Sequence, residues 1–370
     1  MKRHLFVFAG QSNMMGASVY PVKHNPTFER SFEYKHKPRR LGAARGAFVS
    51  EGFPVGEFSY KDIAQAYASD MCDERGNSKL TDYRHNTYFC PSMASLLSEE
   101  EKTEHSFLDF SEATARPSGS PAPFLVEEFE RAGGTCAYAH IAKGAVRISH
   151  YFTDEMEREY AARVAEYNRQ HGTDYPEGLS PKHRMPGAAD YFFEKCADFF
   201  ADAAECFAED DISERSFFWL QGGGDAGRSS MVEYSIALDI LWETLKKIGF
   251  QRFFCIRAGY FGKEVVKEIM IAQERFVKRH DDAYMLTRVG SYMPFKGHDD
   301  RDWFITPPPA EYCEFRDSYL GFANQHVNEK GFLFLASVAA KNLCRVLMEG
   351  KEPVLEPENV RPLLESEELK

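Results

Sequence analysis

The sequence lacks an apolar run long enough to cross a lipid bilayer. Its longest apolar stretch, around Phe332–Ala340, is about half of the roughly 20 residues that a spanning helix needs. Lys2 and Arg3 precede a short apolar stretch, Leu5–Ala9, but no small-residue cleavage site follows it, so a signal peptide is not indicated. We therefore expect a cytoplasmic protein with no membrane partner.

Paired cysteines are also missing. The eight cysteines are widely scattered and none belongs to a C-x-x-C pair, which argues against a zinc site or a disulfide framework. Several lie in apolar segments such as Phe253–Ile256, where a free cysteine packs as a small hydrophobic residue. Reduced thiols agree with the expected cytoplasmic location.

A surplus of positive charge is absent as well. The 45 Lys and Arg residues are outnumbered by 57 Asp and Glu residues, which gives a formal charge of −12. This balance argues against nucleic acid or an anionic membrane as the main partner. Hydrophobic residues make up 43% of the 370 positions and charged residues 28%, so the chain can form a large packed core and is not globally disordered.

Short apolar runs alternate with helical patterns along most of the chain. Strands buried on both faces read as such runs, and their alternation with helices predicts a parallel sheet with helices on both sides. The predicted strands are His4–Phe8, Cys136–Ile141, Ser216–Leu220, Arg252–Arg257 and Ala283–Thr287. The predicted helices are Pro123–Ala132, Asp190–Ala208, Ser230–Ile248, Lys263–Arg279 and Glu329–Met348.

The alternation breaks between about residues 20 and 120. This stretch is rich in charge, Gly, Pro, Tyr and Phe, and a helical pattern is present at Tyr60–Tyr67. A loop of that length without structure of its own is uncommon in a compact domain. We therefore expect a single domain over residues 1–350, with an inserted subdomain or lid at about 20–120, and a polar surface tail over residues 351–370.

The most informative motif follows the first predicted strand and reads Gly10-Gln11-Ser12-Asn13-Met14-Met15-Gly16. Ligands of open α/β sheets bind beyond the carboxyl ends of the strands, so Ser12 would face the binding cleft. Backbone N–H groups of the turn that follows could hold an anion there. For an isolated serine, the alternative is a helix N-cap, a position that serine favours.

This motif resembles the first block of the SGNH (GDSL-like) hydrolases, in the sialate O-acetylesterase and acetylxylan esterase branch, where it reads GQSNMxG. The resemblance implies a three-layer α/β/α sandwich with a parallel, flavodoxin-like sheet of about five strands. It also implies ester hydrolysis without a cofactor or a metal. Ser12 would be the nucleophile and its backbone N–H an oxyanion donor, while Gln11 and Asn13 would shape the turn and help to position the acyl group.

A second block follows the second predicted strand, at Ile141–Ser149. The family has a GG-T/S-x-I pattern there, and by this resemblance Gly144 donates a backbone N–H to the oxyanion. Ala145 stands in place of the family's second glycine. Arg147, close behind, could pair with a substrate carboxylate such as that of a sialic acid, and the alternative is a surface salt bridge.

A third block, Trp219–Asp225, resembles the family's W-x-Q-G-E-x-D pattern. The resemblance makes the Gln221 amide a third oxyanion donor, and converging donors stabilise the charge that develops in the transition state of ester hydrolysis. Gly223 stands where the family has Glu. The alternative, a glycine-rich phosphate-binding loop, lacks the G-K-[ST] that such loops carry.

The general base is expected just before the last helix, where the family has D-x-x-H. His326 fits this place, but Ala323 stands where the family's acid belongs. In serine proteases, neutralising the acid that orients the catalytic histidine costs about 10⁴ in kcat. We rank Asp225 first and Asn324 second as the group that orients His326. Two further acids lie upstream, Glu314 and Asp317.

The sequence thus predicts a serine esterase that removes O-acetyl groups from a carbohydrate of the sialate or xylan type. Two alternatives stay open: a weakly active or inactive carbohydrate-binding homologue, favoured by Ala323 and Gly223, and an esterase for a non-sugar ester. A rival constellation at His298–Trp303 could bind a divalent cation, although such runs are more often solvated loops. The sequence does not indicate an oligomeric state.

Overall fold

A computed structural model describes residues 2–15, 28–36, 46–50, 53–55, 120–142, 146–178, 188–259, 266–292 and 329–366. These residues form one eight-stranded sheet with the order β4-β3-β2-β5-β1-β6-β7-β8. The strands are β1 Arg3–Gly10, β2 Phe32–His36, β3 Gly46–Ser50, β4 Phe53–Val55, β5 Cys136–Ala142, β6 Ile212–Leu220, β7 Arg252–Ile256 and β8 Ala283–Thr287.

The central part of the sheet is parallel. β1 pairs in parallel with both β5 and β6, and β7 and β8 continue the parallel sheet beyond β6. The five predicted strands therefore lie in the order 2-1-3-4-5, which is the flavodoxin-like order. The predicted fold class is confirmed, and β2 extends it as a sixth parallel strand beside β5.

The central strand β1 is buried on both faces because its side chains alternate between two hydrophobic clusters. Leu5 and Val7 pack into one cluster, and Phe6 and Phe8 pack into the other. All four side chains are fully buried. A strand covered by helices on both faces has this continuous apolar sequence, which is why the sequence alone predicts it well.

Helices cover the two faces of the sheet and complete the three layers. The helices are α1 Ser12–Met15, α2 Pro121–Arg131, α3 Asp154–His171, α4 Ala188–Cys206, α5 Met231–Lys247, α6 Val266–Arg279, α7 Glu329–Leu347 and α8 Arg361–Leu364. One hydrophobic cluster contains buried residues of α3 to α6, and the other contains those of α1, α2 and α7. No helix in the described part of the chain is long and apolar enough to cross a membrane.

Each of the five predicted helices is present, and α3 is an additional one that the apolar pattern does not predict. Its buried side chains are Met156, Tyr160 and Val164, which form a narrow stripe at a spacing of four residues on an otherwise polar helix. Thr153 caps its first turn by accepting a hydrogen bond from Met156 N at 3.3 Å. Such a thin stripe gives a weak periodic signal in the sequence.

The stretch from about residue 20 to 120 contributes strands β2, β3 and β4 to one edge of the sheet. β3 and β4 are antiparallel to their neighbours, so this part of the stretch extends the sheet. The remainder, with the predicted helix at Tyr60–Tyr67, lies outside the described residues. The lid stays a prediction.

The C-terminal segment departs from the expected surface tail. Val360 and Leu363 are fully buried, and they pack in one hydrophobic cluster with Val266 and Met270 of α6. Other side chains of the segment, such as Val354, are exposed. The burial of Val360 and Leu363 could not be predicted from the polar composition of residues 351–370, because isolated apolar residues show no periodicity.

Candidate functional site

Three of the four predicted motifs meet at the carboxyl end of the sheet. β1 lies between β5 and β6, and the chain leaves these three strands at Gln11, Val146 and Gln221 or close to them. In a sheet of this order the connections from neighbouring central strands run to opposite faces, and the resulting crevice is where ligands bind. The first, second and third sequence blocks therefore meet at a topological switch point.

The end of β1 is fixed by a glycine that no other residue could replace without a clash. Gly10 has φ +146°, and a Cβ on it would lie 2.1 Å from the carbonyl oxygen of Leu220. The next residue, Gln11, donates its backbone N–H to that same oxygen at 3.1 Å. The close approach of the two strand ends thus sets where the turn after β1 begins.

Tyr151 holds the same strand end from the other side. Its hydroxyl donates to Gly10 O at 2.7 Å and accepts from Gly10 N at 3.0 Å. Tyr151 is fully buried, so water does not compete for these bonds. The sequence motifs do not single out this residue; its only signal is its place two residues after the second block.

Ser12 is the first residue of α1, which places Gln11, not Ser12, at the N-cap position. The two neighbours of Ser12 differ from it in exposure: Gln11 and Asn13 are buried, whereas Ser12 is partly exposed. The Gln11 side chain points across the crevice and accepts a hydrogen bond from Gly224 N at 2.9 Å. The turn therefore presents the serine towards solvent and keeps its flanking amides in the wall.

Gly224 brings the third block against the second. A Cβ at this position would lie 2.1 Å from the carbonyl oxygen of Val146. The glycine is therefore required by close backbone approach. Together with the Gln11 bond, it joins the chain segments after β1, β5 and β6 into one wall.

The Gln221 side chain is buried at the centre of a hydrogen-bond network. Its amide nitrogen donates to Val146 O at 3.0 Å and to Asp225 Oδ2 at 2.6 Å, and its amide oxygen accepts from the Tyr234 hydroxyl at 2.7 Å. Trp219 Nε1 donates to the same hydroxyl at 3.2 Å. Both amide hydrogens of Gln221 are thus used inside the wall.

Asp225 lies beneath the crevice and is 1% exposed. Its Oδ2 also accepts from Ile148 N at 2.8 Å, and its Oδ1 accepts from the Ser229 hydroxyl at 3.0 Å. Burial raises the pKa of this carboxyl above its ordinary value. The hydrogen bonds and the nearby charge of Arg147 oppose that rise without cancelling it.

Arg147 lies in the wall of the crevice and is 9% exposed. Its Nε is buried without a hydrogen-bond partner in the described part of the chain. Burial lowers the pKa of the guanidinium, and the charge of Asp225 works against this. Guanidinium groups stay charged at neutral pH, so the wall of the crevice contains a desolvated positive charge.

Several parts of the predicted site fall outside the described residues. These are Gly144, His326, the acidic run at His298–Trp303, and the other groups considered for orienting His326, namely Asn324, Glu314 and Asp317. The structure therefore brings together Gln11, Ser12, Asn13, Arg147, Gln221 and Asp225, and it leaves the roles predicted for Gly144 and His326 as predictions. Within the described ranges, no group of three or more His, Cys, Asp or Glu residues could hold a metal ion.

Comparisons with known proteins give similarities in structure only. No protein-family model and no curated protein matches the sequence. The similar solved structures include a protein from Arabidopsis thaliana, at 9% identity and a TM-score of 0.45 over 92% of this chain and 97% of that one. They also include NanS, at 11% identity and a TM-score of 0.48 over 94% of this chain and 98% of that one. A carbohydrate acetylesterase from Xanthomonas citri is similar at 8% identity and a TM-score of 0.40, over 94% of this chain and 57% of that one. At TM-scores below 0.5 these similarities carry no argument about function. The fold class rests on the strand order of this chain.

Proposed function

We propose that the chain is a serine hydrolase that removes acetyl groups from O-acetylated carbohydrates through an acyl-enzyme. The observation that carries this proposal is the placement of Ser12 at the switch point of the sheet, partly exposed between two buried amide residues. A serine that only capped a helix would not need to be exposed to solvent in this way. The GQSNMxG block, whose serine is a nucleophile in the family it resembles, supports the same role.

In this proposal the Ser12 hydroxyl attacks the acetyl carbonyl while His326 accepts its proton. The carbonyl oxygen becomes an oxyanion, held by the backbone N–H groups of Ser12 and Gly144. Collapse of the tetrahedral intermediate expels the sugar hydroxyl, which receives the proton from His326. A water molecule then attacks the acetyl-enzyme and releases acetate.

Gln221 is proposed as the third oxyanion donor. For this its amide must exchange one of two bonds, that to Val146 O or that to Asp225, when the substrate is bound. The remaining bond and the Tyr234 hydroxyl would keep the amide oriented. A network in which every member is satisfied is rigid, and this rigidity would limit the reorganisation during the reaction.

Asp225 is proposed as the carboxylate that orients His326. Its position beneath the crevice and its bonds to Ile148 and Ser229 support this role, because they fix the carboxyl in one orientation. A triad acid needs such a fixed, buried position to hold an imidazole in the correct tautomer.

A second candidate function is carbohydrate binding without efficient turnover. It is favoured by one observation, namely that both Gln221 amide hydrogens are bonded inside the wall. Gly223 and Ala323, at the two places where the family has acids, favour it as well.

The proposed function is tested by acetate release and by covalent labelling. We expect the purified protein to release acetate from O-acetylated monosaccharides and from a small aryl acetate. We also expect a fluorophosphonate to add once per chain, with the adduct on the peptide that contains Ser12. Absence of acetate release together with absence of the adduct would favour the binding-only function. Release from the aryl acetate alone would identify a non-sugar esterase.

Arg147 is proposed to bind a carboxylate on the substrate, because an anion would compensate its desolvated charge. Replacing Arg147 with Met should raise KM for a carboxylate-bearing acetylated sugar by about 10- to 100-fold, the range of a lost hydrogen bond to a charged group. KM for a neutral acetylated sugar should stay unchanged. Steady-state kinetics with the two substrates check this expectation.

Arg147→Lys is the matched control that separates the charge of Arg147 from the planar geometry of its guanidinium group. Lysine keeps the charge but cannot bind a carboxylate through two parallel hydrogen bonds, so an intermediate KM is expected. An equal rise of KM for acidic and neutral sugars in Arg147→Met would show that the residue only supports the loop.

A further inference from the structure

A second pair of polar side chains lies behind the Ser12 turn, on the face of the sheet that carries α2 and α7. Ser120 directly precedes α2, and His140 lies near the carboxyl end of β5. Both residues are buried, at 0% and 3% exposure. Ser120 Oγ lies 2.7 Å and His140 Nε2 lies 2.6 Å from the carbonyl oxygen of Met14, two residues after Ser12.

The Met14 carbonyl oxygen determines which atoms of Ser120 and His140 carry the hydrogens of these two bonds. A carbonyl oxygen can only accept, so Ser120 donates its hydroxyl hydrogen to Met14 O and His140 donates from Nε2. The Ser120 oxygen in turn accepts from Ala122 N at 3.1 Å, at the start of α2. The two donors converge on one oxygen and are 3.5 Å apart. We name Ser120 and His140 the Met14 clamp.

The Met14 clamp ties the backbone of α1 to two neighbouring elements. Its donors are Ser120, which directly precedes α2, and His140 on β5. The Met14 side chain is fully buried and packs with Ala122 and Phe124, so both the backbone and the side chain of this residue are held.

The turn that carries Ser12 is consequently fixed at both ends. Tyr151 and the Leu220 carbonyl hold Gly10 and Gln11 before it, and the Met14 clamp holds the residue two positions after it. A nucleophile must approach a carbonyl carbon along a narrow range of directions, and a displacement of about 1 Å can cost about 100-fold in rate.

We propose that His140 and Ser120 are positioning residues that set the direction of the Ser12 hydroxyl through the Met14 carbonyl. This inference rests on the proposed function, since it assigns the clamp to the nucleophile of that reaction. The clamp itself does not touch the substrate. It acts on the rate of acylation and leaves substrate binding unaltered.

The test compares His140→Leu with His140→Gln in the full-length protein, using a small aryl acetate. Leucine removes the donor, and we expect kcat to fall by about 10- to 100-fold with KM within about twofold of the original. Glutamine places an N–H near the position of Nε2 and should restore most of kcat. Ser120→Ala, which removes one of the two donors, should give a smaller loss of kcat.

His4→Leu is the matched control, because His4 is also a largely buried histidine, on β1 at the opposite end of the sheet, packed against Phe6 and Phe129. It should leave kcat unchanged. Thermal unfolding identifies any variant that fails to fold. If His140→Leu fails to fold, the kcat of Ser120→Ala tests the proposal instead. The proposed positioning role is overturned if only KM changes, or if His140→Gln does not restore kcat.

Ser12→Ala distinguishes a failure of the proposed function from a failure of the proposed positioning role. If turnover needs Ser12 but is unaffected by His140→Leu and Ser120→Ala, the positioning role of the Met14 clamp is wrong and the proposed function stands. Turnover that persists in Ser12→Ala overturns both.

Discussion

Ser12→Ala is expected to lower acetate release by about 10⁴- to 10⁶-fold, the loss that follows removal of a nucleophilic serine. The change removes the hydroxyl that would form the acyl-enzyme, and it leaves the bonds that build the turn in place. Those bonds involve the backbone of Gly10 and Gln11 and the carbonyl of Met14, so we expect no change in the unfolding temperature. Acetate release and thermal unfolding are measured on the same preparation.

The control is Ser216→Ala, a buried serine on β6 whose hydroxyl donates to Glu214 at 3.3 Å. It removes the same hydroxyl group from the neighbouring strand, away from the crevice, and should keep full activity. Wild-type turnover in Ser12→Ala would contradict the proposed nucleophile. Loss of activity in both variants would show that the assay reports folding.

Glu274→Gln is expected to destabilise the fold by about 3–5 kcal/mol, the usual cost of removing one partner from a buried ion pair. Glu274 Oε1 accepts from Arg257 at 2.8 Å, and both of its oxygens accept from Arg288 at 2.7 Å. Arg257 is 0% exposed and Glu274 is 2% exposed. The amide would leave Arg288 without the carboxylate that its side chain binds, and Arg257 with the carboxylate of Glu358 alone. Denaturant unfolding at pH 7 measures the difference.

Glu243→Gln is the matched control because Glu243 also binds an arginine through both carboxylate oxygens, but at an exposed position. Glu243 binds both terminal nitrogens of Arg163, at 3.0 and 2.6 Å, with its side chain 43% exposed. Exposed ion pairs contribute about 0–1 kcal/mol, so this variant should barely change stability. Similar losses in the two variants would show that burial does not set the strength of the Glu274 pair.

The stability lost in Glu274→Gln should also depend on pH. Burial alone would raise the pKa of the Glu274 carboxyl, but the hydrogen bonds from Arg288 and the charges of both arginines hold it below the ordinary value of 4.5. A carboxyl with a lowered pKa stabilises the folded state above its unfolded pKa and loses this effect as the pH falls through the folded pKa. The difference between wild type and variant should therefore be full at pH 7 and shrink below about pH 4.5.

The parallel core of the fold could be predicted from the sequence because its strands are buried on both faces. Runs such as Leu5–Ala9 and Phe253–Ile256 are apolar at every position, and this pattern is hard to mistake. The first block also predicts the place of Ser12 just after β1, where a helix begins, because Gly10 ends the strand. Both signals are local, and the structure confirms the strands they indicate.

The features that the sequence did not predict depend on contacts between distant residues. The buried amide of Gln221 is oriented by Val146 and Tyr234, and no pattern in the third block indicates these partners. The same holds for His140, which reads as one more residue of an apolar strand. β2 is short, and its place in the sheet is set by pairing with β5, about 100 residues later.

The central position of β1 has a consequence for how the protein is made. Its two neighbours in the sheet are β5 and β6, which end at Ala142 and Leu220. At about 5–20 residues per second, the ribosome needs about 10–40 s after β1 to complete the second neighbour. β1 therefore has two unpaired edges until β5 is complete and one unpaired edge until β6 is complete. It stays open to non-native pairing for longer than a strand whose partners are its neighbours in the sequence.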